Sequence, residues 1–144
     1  MAEKINSIKD DTISVLYHGK NITINITKEL AIDENLIDSQ LKNHPSNYAF
    51  LTMLRDEYIY KRDRLEREKD LTYSEIWLFY KASDNKLNND AVSNKVITNK
   101  KYQSILSRYE KVVYKVNRLI SICKAYESRE RILQTISANL RKQQ

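Results

Sequence analysis

The fold is decided by the stretch YQSILSRYEKVVYKVNRLISICKAYESRERILQTISANL, residues 102–140. Its mostly apolar positions recur at alternating intervals of three and four residues, which keeps them on one face of an α-helix. No Gly or Pro interrupts the run, so we predict a helix over 100–141, roughly 60 Å long. The positions on this face are Tyr102, Ile105, Tyr109, Val112, Val116, Leu119, Cys123, Tyr126, Glu130, Leu133, Ser137 and Leu140.

A second long helix is predicted over 45–81, where the same spacing continues although three basic residues interrupt the apolar face. Pro45 suits the first position of this helix, because the missing N–H costs nothing there. Shorter helices are predicted over 33–42 and over 91–98, the latter capped by Asp90. Two long helices joined by a short connection predict an antiparallel, coiled-coil-like helical hairpin. The positions on the face of the second helix are Tyr48, Leu51, Arg55, Tyr58, Arg62, Leu65, Lys69, Thr72, Ile76 and Phe79.

The N-terminal segment predicts a β-hairpin, because apolar and polar residues alternate on both sides of His18-Gly19-Lys20-Asn21. Gly19 and Lys20 fit a two-residue type II′ loop, which needs Gly at its first position. We therefore predict a mainly α protein with a hairpin appendage over 1–32 and a helical domain over 33–144. The alternating apolar residues are Ile13, Val15, Tyr17, Ile22, Ile24 and Ile26.

Composition excludes several classes of protein. The chain of 144 residues holds one Gly, one Pro, one Cys and two His, which leaves no glycine-rich phosphate loop, intrachain disulfide or His-based zinc cage. No apolar stretch approaches the ~20 residues that span a bilayer, and the opening MAEKINSIKDD has no signal-peptide core. We expect a soluble cytoplasmic protein without cofactor or metal.

Positive charge is concentrated in the last third of the chain, which suggests a polyanionic partner. Net charge is −2 over 1–44, −1 over 45–94 and +9 over 95–144. Cations in a row along the predicted last helix can bind the phosphates of a nucleic-acid backbone, and some of the ten tyrosines can stack on its bases. Alternatively, these cations only hydrate the outer face or meet acidic segments of another subunit. The candidate nucleic-acid-binding residues are Lys100, Lys101, Arg108, Lys111, Lys115, Arg118, Lys124, Arg129, Arg131, Arg141 and Lys142.

Apolar side chains beyond a two-helix seam predict a homo-oligomer, because a monomer rarely leaves a large apolar surface open. These candidate interface residues are Phe50, Trp77, Tyr80, Leu106, Val113 and Ile120.

Catalysis is disfavoured by the positions of the reactive residue types. Cys123 lies on the apolar face of the last helix, and neither His18 nor His44 belongs to that helix. The carboxylates of 56–75 alternate with basic residues, which is typical of a solvated helix with ion pairs rather than of a metal site. We expect no enzymatic activity, and a metal-dependent nuclease is the least favoured hypothesis.

Three landmarks carry a resemblance: NHPSNY at 43–48, DAV at 90–92 followed by Tyr102, and ESRERILQ at 127–134 followed by SANLR. Over about 33–144 this arrangement resembles the UvsY-type recombination mediators of phages. The resemblance implies a ring-forming, single-stranded-DNA-binding protein that helps a RecA-like recombinase displace single-strand-binding protein. It assigns no DNA-contacting residue and leaves out the hairpin. The competing hypothesis is a non-enzymatic coiled-coil structural or adaptor protein of a phage or assembly machine.

Overall fold

The protein is mainly α: long helices pack against each other as an antiparallel hairpin, and a two-stranded β-hairpin precedes them, as predicted. The structure, a computed structural model, describes residues 12–144. The prediction that the opening residues are not a signal peptide concerns residues outside this described part. The elements are β1 (Thr12–Tyr17), β2 (Lys20–Asn25), α1 (Ile26–Leu30), a 3₁₀ turn (Glu34–Leu36), α2 (Ile37–Ser83), α3 (Asn89–Ile97) and α4 (Lys100–Lys142).

The described residues form two compact units. Unit 1 comprises 12–56 and 117–144, and it contains the β-hairpin, α1, the first part of α2 and the last part of α4. Unit 2 comprises 57–116, with the rest of α2, α3 and the first part of α4. The β-hairpin thus shares a unit with segments of both long helices, and the units do not follow the predicted separation at residue 32.

The β-hairpin turns through His18 and Gly19, not through Gly19 and Lys20 as predicted. Both turn residues have positive φ, 48° and 77°, which is the requirement of a type I′ turn. Val15 therefore pairs with Ile22, two residues from the predicted register. Because side chains alternate with a period of two, this shift keeps the apolar residues on the predicted face.

The β-hairpin packs within unit 1 through that apolar face. Ile13, Val15 and Ile24 are buried, and the ring of Tyr17 meets that of Phe50 edge-on at 5.1 Å. Such burial provides the support that an isolated two-stranded hairpin lacks. Ile26, predicted to continue the strand, instead begins α1, because the Asn25 side chain accepts a hydrogen bond from the backbone N–H of Lys28 and caps the helix.

The predicted break at Pro45 is wrong, because α2 continues through it from Ile37 to Ser83. An interior proline removes one backbone hydrogen bond and costs about 3 kcal/mol. Tertiary packing offsets this cost, since Ile37 and His44 are both buried in unit 1 on the N-terminal side of Pro45. Sequence spacing alone could not reveal that packing.

Unit 2 encloses a core made by one face of each of its helices. Tyr58 and Ile76 of α2, Val92 and Val96 of α3, and Val116 of α4 are buried. The predicted α3 begins slightly earlier than expected and is capped by the Asn88 side chain, which accepts a hydrogen bond from the Ala91 N–H at 2.8 Å. One predicted core position is wrong, because Phe79 is 66% exposed.

The predicted last helix is confirmed as α4, Lys100–Lys142. Asn99 caps it, accepting hydrogen bonds from the N–H groups of Lys101 and Tyr102. In unit 1 the predicted positions Leu119, Cys123, Tyr126 and Leu133 of α4 are buried. The predictions fail at Glu130 and Leu140, which are exposed.

Candidate nucleic-acid interface

Four cations of α4 in unit 2 lie on one side of the helix: Lys101, Arg108, Lys111 and Lys115. Arg108, Lys111 and Lys115 follow at intervals of three and four residues and are neighbours on the helix surface, and Lys101 lies on the same side two turns before Arg108. The set, called here the basic stripe, extends over about 21 Å at 1.5 Å per residue. Lys101, Arg108 and Lys111 are exposed and Lys115 is half-buried, and the exposed Lys100 adds a cation at the first turn.

The cations of the basic stripe form no ion pair with any carboxylate of residues 12–144. The ion pairs of α2, by contrast, join neighbouring residues, as in Arg62 with Asp63 at 3.1 Å. The single carboxylate of α4 in unit 2, Glu110, is next to Lys111 in sequence and so points about 100° away from it around the helix. The positive charges of the stripe are thus available to an external anion.

One end of the basic stripe is held against a buried tyrosine. The Nζ atoms of Lys61 and Lys115 lie 4.5 Å and 6.0 Å from the centre of the Tyr58 ring. Tyr58 is only 4% exposed, so these cation–π contacts fix the stems of both lysines beside the core. Lys61 thus adds one positive charge beside that of Lys115 at this end of the stripe.

The remaining candidate cations belong to unit 1 and have different surroundings. Lys124, Arg131 and Lys142 are exposed and Arg118 is half-buried. Arg141 is exposed too, but it lines an open cavity of about 510 Å³ together with the acidic Glu34 and Asp38. Apart from Arg118, whose Nε is buried, and Arg129, described next, these side chains are accessible at points along α4 of unit 1.

Arg129 was predicted to contact nucleic acid, and the structure contradicts this because the side chain is 8% exposed. Its Nη2 donates to the Ala31 carbonyl at 3.1 Å and its Nε to the same oxygen at 3.4 Å. Its Nη1 lies 3.2 Å from Nδ1 of the buried His44, and its guanidinium covers the Tyr126 ring at 5.3 Å. Arg129 therefore connects three segments of unit 1 and is withdrawn from the candidate interface.

His44 is neutral in this arrangement. A guanidinium can only donate, so His44 Nδ1 accepts from Arg129 and the ring proton lies on Nε2. Burial lowers the pKa of His44 below its ordinary value; the carboxylate of Glu130 opposes this shift and the charge of Arg129 adds to it. Within the described residues Nε2 has no hydrogen-bond partner, because Oε2 of Glu130 is 3.8 Å away.

Aromatic stacking completes the surroundings of His44. Its ring stacks on that of Tyr126, with centroids 4.5 Å apart, and Tyr48 lies parallel to Tyr126 at 6.3 Å. The Tyr48 hydroxyl donates to the Glu127 carboxylate, which raises the pKa of Tyr48. The pKa of Tyr126 is also raised, and burial of its hydroxyl is the main cause. These groups thus serve the packing of unit 1.

The six predicted interface residues are half-buried, and two of them are already engaged within their own unit. Phe50 contacts Tyr17, while the Tyr80 hydroxyl accepts a hydrogen bond from the Asn99 side chain at 3.0 Å. More exposed apolar side chains of unit 2 lie elsewhere, at Leu71 and Leu78 of α2, seven residues apart on one line. The six predicted interface residues therefore leave out exposed apolar side chains of α2.

The reactive groups do not converge. Cys123 is buried, and burial raises the pKa of its thiol, so the nucleophilic thiolate is disfavoured. Within residues 12–144, no group of three or more His, Cys, Asp or Glu residues is placed to hold a metal ion. None of the helices in that part of the chain has a segment both long and apolar enough to cross a membrane.

The chain matches no protein-family model, no curated protein and no solved structure. The similarity to recombination mediators therefore stays a prediction from the three sequence landmarks.

Tyr114 is a residue that the sequence reasoning missed. It is 59% exposed and lies between Lys111 and Lys115 in sequence, beside the basic stripe. The signal was present in the heptad pattern, because Tyr114 is two residues from Val112 and from Val116 and so falls about 200° around the helix from both.

Proposed function

We propose that the protein binds single-stranded DNA without reading its sequence, through the basic stripe of α4. The observation that carries this proposal is that the stripe is made of four cations with no carboxylate partner in the described residues. Phosphate groups are the natural ligands for such a row, and release of their counterions drives binding at low salt.

The lack of sequence readout follows from the chemistry of the stripe. Lysine and arginine side chains spaced along a helix contact phosphates, which position a nucleic acid but carry no sequence information. The net charge of +6 attracts any polyanion, and weak contacts allow the strand to be released again. These properties suit a protein that holds a strand temporarily.

The biological role we propose is that of a recombination mediator in the cytoplasm, which helps a RecA-like recombinase replace single-strand-binding protein. The sequence landmarks at 43–48, 90–92 and 127–141 support this role. A mediator of this kind acts as a homo-oligomer, because several copies on one strand multiply weak phosphate contacts into a high overall affinity. The exposed apolar residues of α2 support self-association.

A second candidate function, a structural or adaptor protein, is favoured by one specific observation. Tyr60, Leu71 and Leu78 are each more than 60% exposed and lie at intervals of 11 and 7 residues, on one line of α2. A helix with an open apolar line is typical of coiled-coil assembly. This candidate requires self-association but no affinity for DNA.

The test compares two triple variants with the same change of charge. K101E/R108E/K111E alters the basic stripe, and R64E/R67E/K86E alters exposed cations of unit 2 outside it. Three reversals of two charges each bring the net charge of +6 to zero in both variants. Binding to a fluorescein-labelled dT30 oligonucleotide is measured by anisotropy, and circular dichroism checks that both variants remain helical.

We expect the stripe variant to bind about 100-fold more weakly than the parent at 0.1 M salt, since three lost single-strand phosphate contacts remove about two decades of counterion-release affinity. The control variant should lose much less. Equal losses in both would show that only net charge matters and would refute the assignment of the stripe. Oligomers that bind no oligonucleotide at low salt would favour the adaptor function.

A further inference from the structure

Two lysines from different helices of unit 2 meet at one tyrosine ring. The Nζ atom of Lys61, on α2, lies 4.5 Å from the centre of the Tyr58 ring, and the Nζ atom of Lys115, on α4, lies 6.0 Å from it. Because both distances are measured from the same point, the two ammonium groups are at most about 10.5 Å apart, the sum of the two distances. The end of the basic stripe at Lys115 therefore has a cation of the other long helix beside it.

Lys61 differs from the comparable lysine of α2, Lys69, in its electrostatic surroundings. The Nζ atom of Lys69 also lies near a tyrosine ring, 5.1 Å from the centre of Tyr109, but it forms an ion pair with Asp70 at 3.2 Å. Lys61 forms no ion pair with any carboxylate of residues 12–144, although Glu57 lies four residues before it on α2. The charge of Lys69 is thus already paired within unit 2, whereas that of Lys61 is not.

The placement of Lys61 and Lys115 favours an anion beside both of them. Two like charges at this separation repel each other, and the repulsion is stronger near the buried Tyr58 ring than in bulk water because the local dielectric constant is lower. An ammonium group that lies beside a ring also keeps N–H donors that need acceptors. Phosphate groups that approach both lysines offset the repulsion and accept these hydrogen bonds.

We propose that Lys61 is a further DNA-contacting residue and that the strand passes from the basic stripe onto α2 at this point; this rests on the proposed function. Lys115 and Lys61 contact neighbouring phosphates of one strand, so the interface includes both long helices of unit 2. Lys61 adds one single-strand phosphate contact, which contributes about −0.7 to the salt-dependence slope beyond the contribution of the basic stripe. The sequence pattern did not single out Lys61, because charges of both signs alternate along this part of α2.

The experiment compares three single variants with the parent. Lys61→Gln removes the charge and keeps a polar, helix-favouring side chain, and Lys61→Arg keeps the charge. Lys69→Gln is the matched control: it removes one charge from the same helix, at a lysine that also lies beside a tyrosine ring but is already paired with Asp70. Binding to labelled dT30 is measured by anisotropy from about 50 to 300 mM salt, which gives the slope of the logarithm of the association constant against the logarithm of salt concentration. Circular dichroism checks that all variants remain helical.

Lys61→Gln should bind dT30 about 5-fold more weakly than the parent at 0.1 M salt, with a slope less steep by about 0.7, the effect of one lost phosphate contact. Lys61→Arg and Lys69→Gln should keep the slope of the parent. An unchanged slope in Lys61→Gln, with or without a loss of affinity, would show that Lys61 only packs against Tyr58 and would overturn its assignment to the interface. An equal change of slope in Lys69→Gln would overturn it too, and in both cases the proposed function stands if K101E/R108E/K111E still loses binding. A parent protein that binds no dT30 overturns both.

Discussion

Replacing Arg129 by Ala tests the finding that this cation stabilises unit 1 instead of contacting nucleic acid. The change removes two hydrogen bonds to the Ala31 carbonyl and one to His44 Nδ1. A hydrogen bond from a charged group contributes roughly 1.5–3 kcal/mol. Water can replace the donors at Ala31, which is exposed, but His44 is buried and its Nδ1 would stay without a partner.

We therefore expect Arg129→Ala to lower the free energy of unfolding by about 3 kcal/mol, less than the roughly 4.5–9 kcal/mol of three such bonds, because water replaces the donors at Ala31. Urea unfolding followed by circular dichroism measures the loss. Arg131→Ala, an exposed neighbour, is the control and should change stability by less than about 0.5 kcal/mol. The free energy of unfolding of Arg129→Lys should lie between those of the two alanine variants, because one ammonium cannot reproduce the planar, multiple donors of the guanidinium. If Arg129→Ala were as stable as the control, the buried hydrogen bonds would not have the role assigned to them.

Two further predictions concern unit 1. Because the pKa of His44 is lowered in the folded protein, the unfolded chain binds more protons, and stability should fall as pH drops below about 6.5. His44→Asn cannot titrate, so its unfolding free energy, measured in urea between pH 7.5 and 5.5, should fall less steeply; parallel profiles would contradict the neutral state of His44. Gly19 has φ of +77°, and no atom of residues 12–144 lies within 4 Å of an added Cβ, so Gly19→Ala should cost only the backbone strain, about 1–2 kcal/mol. Gly19→Asn should cost less in the same assay, and equal costs for the two would argue against the left-handed turn.

The long helices could be predicted from the sequence because their signal is repeated many times. Alternating three- and four-residue spacing over 102–140 fixed both the extent and the face of α4, and one misplaced residue does not alter such a pattern. The strands of the β-hairpin were predictable for the same reason, through their period of two. Their turn was not predictable, because it needs positive φ at two residues, and His18 adopts positive φ much less readily than Gly19.

The details of unit 1 depend on contacts between residues distant in sequence, which no local pattern contains. Glu130 fits the heptad spacing of α4, yet Arg129 is buried in its place because Ala31 and His44 provide acceptors for it. The same packing carries α2 through Pro45, where local rules predict a break. For the candidate site, the sequence located the cations, but only the structure separated the accessible ones from Arg129 and revealed the exposure of Tyr114.

The most direct test of the proposed interface is the salt dependence of binding to dT30. Four phosphate contacts to the basic stripe of one copy predict that the logarithm of the association constant falls with the logarithm of salt concentration with a slope of about −2.8, and more steeply if several copies bind one strand. A slope near zero, or no binding at 50 mM salt, would contradict a phosphate-binding stripe on α4.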